Sequence, residues 1–486
     1  MSTFFTELFR VAKLLNSSDN YKPVFLFHSY PSVKKEMDAC YKEKIECFDL
    51  NGQCIHLFSD YFGGIPPATS YIEQLTIKKS VLKFLRGIVP GGFRRGCHSL
   101  ILKTFRKLKL NFVSNSFTLV QDLKKIKENY TVLFNKIKPN LLILAGDEVG
   151  NDSALLIRAG HEYGIDTIIT PSTMSNGLEQ AEVYYNNPSH SMGNKVNWVA
   201  GKLFPRWVLN HKGRKLLRVN GERVFAFEWL KIGPPLPWIF HSGFSDAIAV
   251  ESPAMLNYYL DAGLPEKQLV LTGSPVNDIM GSVLQNKEQL RSDLYKELNM
   301  PKDRPMILSA LPPDFLYVVG GRPQCDFQEY DELVKFWLTS LAEIKEYNIV
   351  IALHPSVDYY KVKHLENYGI KIARENIVYL MPLCDIFIAS VSSTIRWAIV
   401  CGIPVINYDV YRYQYSDYLN VDGVITLEEK EDFLRLLHKL TGNPDFYAEI
   451  AKKQRNHSKA WGIQDGLSGK RVLDLVDRFI KKTDVN

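Results

Sequence analysis

The feature that most constrains the fold is a series of short apolar segments in the second half of the chain. Helical stretches separate these segments, and turn residues follow most of them. The segments are PMILSALPPD, IVIALHPS, GIKIA, DIFIAS and PVINYD, within residues 305–409. Buried Val/Ile-rich strands that each return after a helix are typical of a parallel sheet covered on both faces. We therefore predict a doubly wound α/β domain whose ligands bind at the carboxyl ends of the strands.

The first half repeats this alternation with VFLFHSYPS, NLLILAG, DTIIT, DAIAVES and LVLTGSP. A chain of 486 residues is also too long for one ordinary core. We predict an α/β protein of two doubly wound Rossmann-like domains that face each other across a cleft. The expected limits are residues 1–280 for the N-terminal domain and 281–465 for the C-terminal domain. A final helix at 466–486 could pack on either one.

Composition and motifs exclude several classes of protein. No apolar run reaches the roughly 18 residues of a membrane-spanning helix, and the N-terminus lacks the pattern of a secretory signal, so we expect a cytoplasmic protein. The sequence contains no GxGxxG, GxxxxGK[ST] or GxSxG, which argues against NAD enzymes, P-loop NTPases and α/β-hydrolases. Seven cysteines without a CxxC pair are interpreted as small buried hydrophobes, and no zinc site is expected.

Polar residues follow successive strands of the predicted C-terminal domain. His354 and Pro355 end one strand, and hydroxyl groups stand between a later strand and its helix, at Ser390, Ser392, Ser393 and Thr394. Hydroxyls and free backbone N–H groups at a helix start bind anions, and a histidine can donate to a phosphate oxygen. We predict a phosphate site, with the alternative that these residues only cap the helix and a turn. Three further strand-end residues are weaker candidates for contact with a nucleotide: Gly273, Ser274 and Ser309.

Two acidic residues follow the strand NLLILAG in the first half. Asp147 or Glu148 could take a proton from an acceptor hydroxyl as general base. The residues alone do not decide between them. The alternative is an acidic turn in which Asp152 caps the next helix.

The positive charge is concentrated in two stretches without acidic residues. They lie between Glu73 and Asp122 and between Glu182 and Glu222, and they carry +10 and +7. Both mix cations with aromatic residues, a pattern that favours an anionic membrane surface. The alternative is a solvated basic face, and nucleic-acid binding is not favoured because no recognised module accompanies the charge. The candidate membrane or acceptor residues are Arg94, Arg95, Arg106, Lys107, Trp198, Arg206, Trp207, Arg214 and Lys215.

The series LVLTGSPVND, ILSALPPD, IVIALHP and LCDIFIASVSSTIRWAIVCGIPVINYD resembles the donor domain of GT-B glycosyltransferases. It is similar to the superfamily that joins UDP-N-acetylglucosamine 2-epimerase to glycosyltransferases of bacterial surface polysaccharides. The His-Pro and Ser motifs resemble those of bacterial sialyltransferases and Kdo transferases. The resemblance spans about residues 140–460. It implies a metal-independent enzyme without a cofactor, with a nucleotide-sugar donor and an acceptor bound by the N-terminal domain.

The sequence departs from this group at two places. In the epimerases a glutamate shortly before a Gly-x-Pro holds the ribose, whereas the segment before Gly402 here is RWAIVC, with no acid. The epimerase stretch Gly-Thr-Arg-Pro is also absent. These departures favour a glycosyltransferase that uses a CMP-ulosonic acid or a UDP-sugar and acts on a surface glycan or a lipid-linked acceptor. The alternatives are a 2-epimerase-like enzyme, a polyol-phosphate transferase and a non-catalytic GT-B scaffold.

Overall fold

A computed structural model describes residues 3–27, 33–50, 52–55, 111–150, 153–171, 177–316, 325–353 and 359–483. The helices are α1 (Thr3–Asn16), α2 (Lys34–Lys42), α3 (Asn111–Ile137), α4 (Ser153–Glu162), α5 (Gly177–Tyr184), α6 (Lys195–Leu203), α7 (Gly221–Trp229), α8 (Pro253–Asp261), α9 (Pro275–Gln285), α10 (Lys287–Glu297), α11 (Tyr330–Ala342), α12 (Tyr359–Val362), α13 (Ile377–Leu380), α14 (Ile395–Val400), α15 (Lys430–Gly442), α16 (Pro444–Trp461) and α17 (Ser468–Thr483). The strands are β1 (Val24–Leu26), β2 (Glu46–Phe48), β3 (Leu141–Leu144), β4 (Asp166–Ile169), β5 (Val208–His211), β6 (Arg214–Leu217), β7 (Ala247–Val250), β8 (Leu269–Leu271), β9 (Met306–Ala310), β10 (Asn348–Ala352), β11 (Lys371–Ala373), β12 (Ile386–Ala389), β13 (Val405–Tyr408) and β14 (Val424–Leu427).

The C-terminal half is built on a six-stranded sheet in which every described pairing is parallel. Its strand order is β11-β10-β9-β12-β13-β14, so the chain builds outward on one side of β9 and then reverses to the other side. Alternate strand residues enter two different apolar layers, as the two-residue period of a strand requires. One layer contains a stack of Trp337, Tyr408 and Phe433, with ring centroids 5.8 and 4.9 Å apart along it. The predicted doubly wound sheet is confirmed.

The N-terminal half contains a four-stranded parallel sheet of order β3-β4-β7-β8. The segments predicted as strand, helix and strand form a βαβ unit, in which α4 connects β3 to its parallel neighbour β4. The first predicted strand differs from expectation, because β1 pairs with β2 in a separate two-stranded sheet and is not fully buried. A β5–β6 hairpin completes the described strands.

The last helix returns to the N-terminal half. Val472, Leu475 and Val476 of α17 are buried in one cluster with Val11 of α1 and Ile168 of β4. The predicted limit at residue 280 falls inside α9, so we propose that the passage between the halves runs through α9 and α10. No helix among the described residues is long and apolar enough to cross a membrane.

Candidate functional site

The centre of the C-terminal sheet is where the strand order reverses. β9 and β12 are neighbours there, with Ile388 opposite Ser309, although the chain visits β10 and β11 between them. Loops that leave two such strands diverge to opposite sides and open a crevice at the carboxyl edge, which is where open α/β sheets bind ligands. The loops that line it follow Ala310 of β9 and Ala389 of β12.

The loop after β12 contains a buried hydroxyl without a partner. Ser390 is only 4% exposed, and its Oγ makes no hydrogen bond among the described residues. An unsatisfied buried polar group costs free energy, so its presence at this crevice indicates a place for a ligand or for water. The next residue, Val391, has φ +47°, which a β-branched residue rarely adopts. Its N–H donates to Asn407 Oδ1 at 2.9 Å, so β13 holds the strained loop in place.

The remaining hydroxyls of this loop form a local turn. The Oγ atoms of Ser392 and Thr394 lie 2.8 Å apart, and the N–H of Thr394 donates to Ser392 Oγ. Ser392, Ser393 and Thr394 are each half-buried, so they remain partly accessible. The helix that follows, α14, has only six residues. A helix this short contributes little dipole, so an anion at this loop would depend mainly on the hydroxyl and loop N–H groups.

A buried ion pair joins the two halves beside this loop. Arg396 on α14 donates to Glu251, the residue after β7, across 2.6 Å, and their side chains are 5% and 7% exposed. Burial raises the pKa of Glu251, and the Arg396 charge opposes that rise. Burial also raises the pKa of Glu7 on α1, and the charges of Arg10 and Arg396 oppose that rise. Neither Arg396 nor Glu251 is among the residues predicted from the sequence, although the position of Glu251 at the end of a predicted strand is a signal that could identify it.

A tyrosine-rich loop lies beyond β13 and reaches the other half. The rings of Tyr411, Tyr413 and Tyr415 follow one another at 5.6 and 5.2 Å. Nearby, Lys212 of the β5–β6 hairpin approaches the carbonyl oxygen of Arg412 at 3.5 Å. This tyrosine-rich loop forms a further connection between the halves, which the sequence does not predict.

The two candidate bases occupy different environments. Asp147 is fully buried, and its carboxylate accepts backbone N–H groups from Ser242 at 2.5 Å, Phe244 at 2.8 Å and Ser245 at 3.3 Å. It therefore fixes the 242–245 loop and presents no oxygen to solvent. The side chain of Glu148 is 20% exposed and pairs with Arg218 at 2.8 Å. Burial raises the pKa of Glu148, against the effect of Arg218.

His241 lies at the start of the loop that Asp147 fixes. It is 1% exposed, its ring lies 5.5 Å from that of Tyr259, and its Nδ1 has no partner among the described residues. Burial and the Arg396 charge lower the pKa of His241 to about 3 from its ordinary 6.5. The imidazole is therefore neutral in the folded protein near neutral pH.

This histidine should make the fold sensitive to acid. The unfolded chain takes up the His241 proton below pH 6.5 and the folded chain only near 3, so the stabilising effect is present above 6.5 and is lost as pH falls. Protonation of His241 in the unfolded chain should lower the free energy of unfolding by about 2 kcal/mol between pH 7.5 and 5.0. Urea unfolding of the wild type and His241→Phe at both pH values measures it. The variant should lose less stability than the wild type, and equal losses would contradict the assignment.

Three weaker candidates are engaged in structural contacts. Ser309 Oγ accepts the indole N–H of Trp337 at 2.9 Å, inside the core. Gly273 and Ser274 lie beside the C-terminal helix, because a Cβ on Gly273 would approach Ser468 Oγ within 2.4 Å. Ser274 instead caps α9. The structure thus brings the Ser390–Thr394 hydroxyls to the crevice and leaves these three in structural contacts.

His354 and Pro355 lie outside the described residues, as do Asp152 and four of the basic candidates, Arg94, Arg95, Arg106 and Lys107. The strand that precedes His354, β10, ends at Ala352 and pairs with β9. Among the described residues, no three His, Cys, Asp or Glu side chains are grouped as metal ligands would be. A role for His354 at the phosphate site and the absence of a metal both stay predictions.

The described basic and aromatic candidates divide into buried and exposed groups. Trp207 is fully buried, and its indole N–H donates to Glu228, so it belongs to the core. Arg206 pairs with the same carboxylate at 2.6 Å. Arg214 stacks on Tyr185 at 4.4 Å, and Lys215 is exposed beside it on β6. Trp198, by contrast, is 53% exposed.

The described residues form two Rossmann-like α/β units with parallel sheets, and the second is doubly wound with a crevice at its strand-order reversal. This is the GT-B fold. A Listeria monocytogenes protein described as a UDP-N-acetylglucosamine 2-epimerase matches with a TM-score of 0.50 and 10% identity, over 100% of this chain and 96% of that one. The Neisseria meningitidis UDP-GlcNAc 2-epimerase bound to UDP-GlcNAc gives a TM-score of 0.48 and 13% identity, over 98% and 96%. The kitacinnamycin glycosyltransferase gives 0.49 and 11%, over 96% and 94%. No protein-family model and no curated protein matches the sequence.

Proposed function

We propose that this chain is a metal-independent glycosyltransferase that takes a sugar from a nucleotide-activated donor. The observation that carries the proposal is the unpartnered, buried hydroxyl of Ser390 at the strand-order reversal of the second sheet. The donor phosphates bind Ser390, Ser392, Ser393 and Thr394, which follow β12. His354 and Pro355, which follow β10 on the other side of β9, also contribute to the phosphate site. The donor is a CMP-ulosonic acid or a UDP-sugar.

The transfer moves one glycosyl group and one proton. The acceptor oxygen attacks the anomeric carbon, the bond from that carbon to the donor phosphate oxygen breaks, and the nucleotide leaves with the bonding electrons. The acceptor proton goes to Glu148, which keeps an exposed fraction where Asp147 keeps none. A carboxylate whose pKa is raised by burial is a better base near neutral pH. Hydrogen-bond donors around the leaving phosphate stabilise the charge that develops there.

The acceptor in this proposal is a surface glycan or a lipid-linked glycan held by the N-terminal half. The protein would act as a peripheral protein on the inner face of the cytoplasmic membrane. The support is the clustering of basic and aromatic residues in that half of the chain, in particular Trp198 and Lys202 on the exposed face of α6.

A donor panel with and without acceptor tests the proposal. The wild type is incubated with UDP-sugars, CMP-ulosonic acids and CDP-polyols, each with and without a bacterial lipid-linked glycan fraction, and free nucleotide is measured. We expect acceptor-dependent release with one donor class, strongly reduced in Glu148→Gln. A 2-epimerase-like reaction is the second candidate, because the Listeria protein shares this fold over its length. Sugar conversion without acceptor would favour it, and release only from a CDP-polyol would favour a polyol-phosphate transferase.

A further inference from the structure

The N-terminal half exposes large apolar side chains on one helix and at the end of its neighbour. On α6, Trp198 is 53%, Val199 39% and Leu203 62% exposed, and Trp229 at the end of α7 is 61% exposed. The other five tryptophans of the chain, all described, are no more than 9% exposed. Exposed tryptophans are thus confined to these two helices, and clustered exposed apolar groups mark interaction surfaces.

The orientation of α6 explains why these side chains face outward. Asn194 caps the helix by accepting the N–H of Val196 at 2.8 Å. Ala200 and Gly201 are buried on the inner side, where a Cβ on Gly201 would collide with Met192 and Val208. The outer side therefore consists of the positions spaced three and four apart on one helical face. These are Lys195, Trp198, Val199, Lys202 and Leu203, all exposed.

Contacts between α6 and α7 place Trp229, the last residue of α7, near Leu203, the last residue of α6. The backbone N–H of Gly221 donates to Asn197 Oδ1 at 2.7 Å, so the two helices begin side by side. Toward their far ends the rings of Phe204 and Phe225 lie 6.1 Å apart. Arg206 then pairs with Glu228, the residue before Trp229. The exposed residues of α6 together with Trp229 form one surface, here called the α6 surface.

The positive charge around the α6 surface favours an anionic partner. Lys195 and Lys202 lie on the helix itself, Lys202 stacks over Trp198 at 5.9 Å, and Lys231 is exposed beyond Trp229. Glu228, the residue before Trp229, is already engaged by Arg206 and Trp207. Tryptophan rings settle at the headgroup level of a bilayer, and lysines near it attract anionic headgroups.

We propose that the α6 surface docks on an anionic lipid bilayer, with Trp198, Leu203 and Trp229 inserted at the headgroup level. The inference rests on the proposed membrane-associated acceptor and names the surface that makes the contact. Of the candidates from the sequence, Trp198 belongs to it, and Leu203 and Trp229 are added by the structure.

Vesicle binding of the full chain tests this. Vesicles of phosphatidylcholine alone and of phosphatidylcholine with phosphatidylglycerol in equal parts are titrated while tryptophan emission is recorded. Because only Trp198 and Trp229 are exposed, docking should shift the emission to the blue with the anionic vesicles. The double variant Lys195→Gln/Lys202→Gln should bind roughly 25-fold more weakly, about fivefold for each lysine. Trp198→Ser and Leu203→Ser should also weaken binding.

Leu419→Ser is the matched control, because Leu419 is an equally exposed leucine, at 71%, in the C-terminal half. It should bind like the wild type, and thermal unfolding verifies that each variant is folded. Undiminished vesicle binding by the α6 variants would overturn the assignment while leaving membrane association standing. No binding by the wild type, or a lipid-free dimer that Leu203→Ser abolishes, would also overturn it. Nucleotide binding in solution, measured on the same variants, reports separately on the proposed glycosyltransferase.

Discussion

Glu251→Gln is expected to destabilise the chain by about 3–5 kcal/mol, because it leaves the Arg396 guanidinium buried without its charge partner. Arginine cannot release its proton at accessible pH, so the buried charge persists. Arg396→Met should cost less than Glu251→Gln. The carboxyl group that remains can take up a proton, and burial already raises its pKa.

Urea unfolding of both single variants and of Glu251→Gln/Arg396→Met measures this ion pair. The double variant should recover much of the stability, since neither charge is then left buried. Lys453→Ala serves as control, because it removes a surface partner of Glu449 at 2.6 Å and should leave the unfolding midpoint unchanged. A Glu251→Gln protein as stable as the wild type would show that the pair does not hold the two halves together.

His354→Ala is expected to lower turnover about 100- to 1000-fold, because in the proposed site His354 is the donor that offsets charge on the leaving phosphate. The folded state should be unaffected, so the melting temperature without ligand should match that of the wild type. The measurement is the rate of nucleotide release with the donor and acceptor that the donor panel selects.

His364→Ala is the matched control for this prediction. His364 is an exposed histidine of the same half, in a short 3-10 turn ahead of β11, and its loss should leave turnover unchanged. Equal rates for His354→Ala and the wild type would remove His354 from the proposed site. Equal loss in both variants would point to a general effect on folding.

The fold was predictable from the sequence because strands buried on both faces leave an unmistakable pattern. The apolar segments of the sequence contain β9, β10, β12 and β13, and the helical stretches between them predict the parallel sheet that the structure shows. The expectation of two Rossmann-like domains of GT-B type is confirmed by the structure and by the Listeria protein of the same fold, and the strand order shows the C-terminal domain to be doubly wound. The strand order that places Ser390 at the crevice depends on pairing between distant segments, which local pattern does not encode.

The site was less predictable because its decisive contacts join residues far apart in the chain. Glu251 and Arg396 are separated by 145 positions and belong to different halves. Trp198 and Trp207 have similar sequence surroundings, yet one is exposed and the other is buried against Glu228. Composition cannot distinguish them, because Trp198 lies on the outer side of α6 whereas Trp207 lies in the 3-10 turn after α6 and packs in the core.

The central claim, a nucleotide site at the strand-order reversal, is tested most directly by thermal unfolding with CMP, CDP, UDP, GDP and ADP. The wild type and Ser390→Ala are compared, since the variant removes only the unpartnered hydroxyl. A ligand that binds the folded state raises the melting temperature by mass action. We predict that one nucleotide raises the melting temperature of the wild type, and that Ser390→Ala loses most of this shift while remaining folded. A wild type that responds to none of the five, or a Ser390→Ala variant with an undiminished shift, would contradict the account.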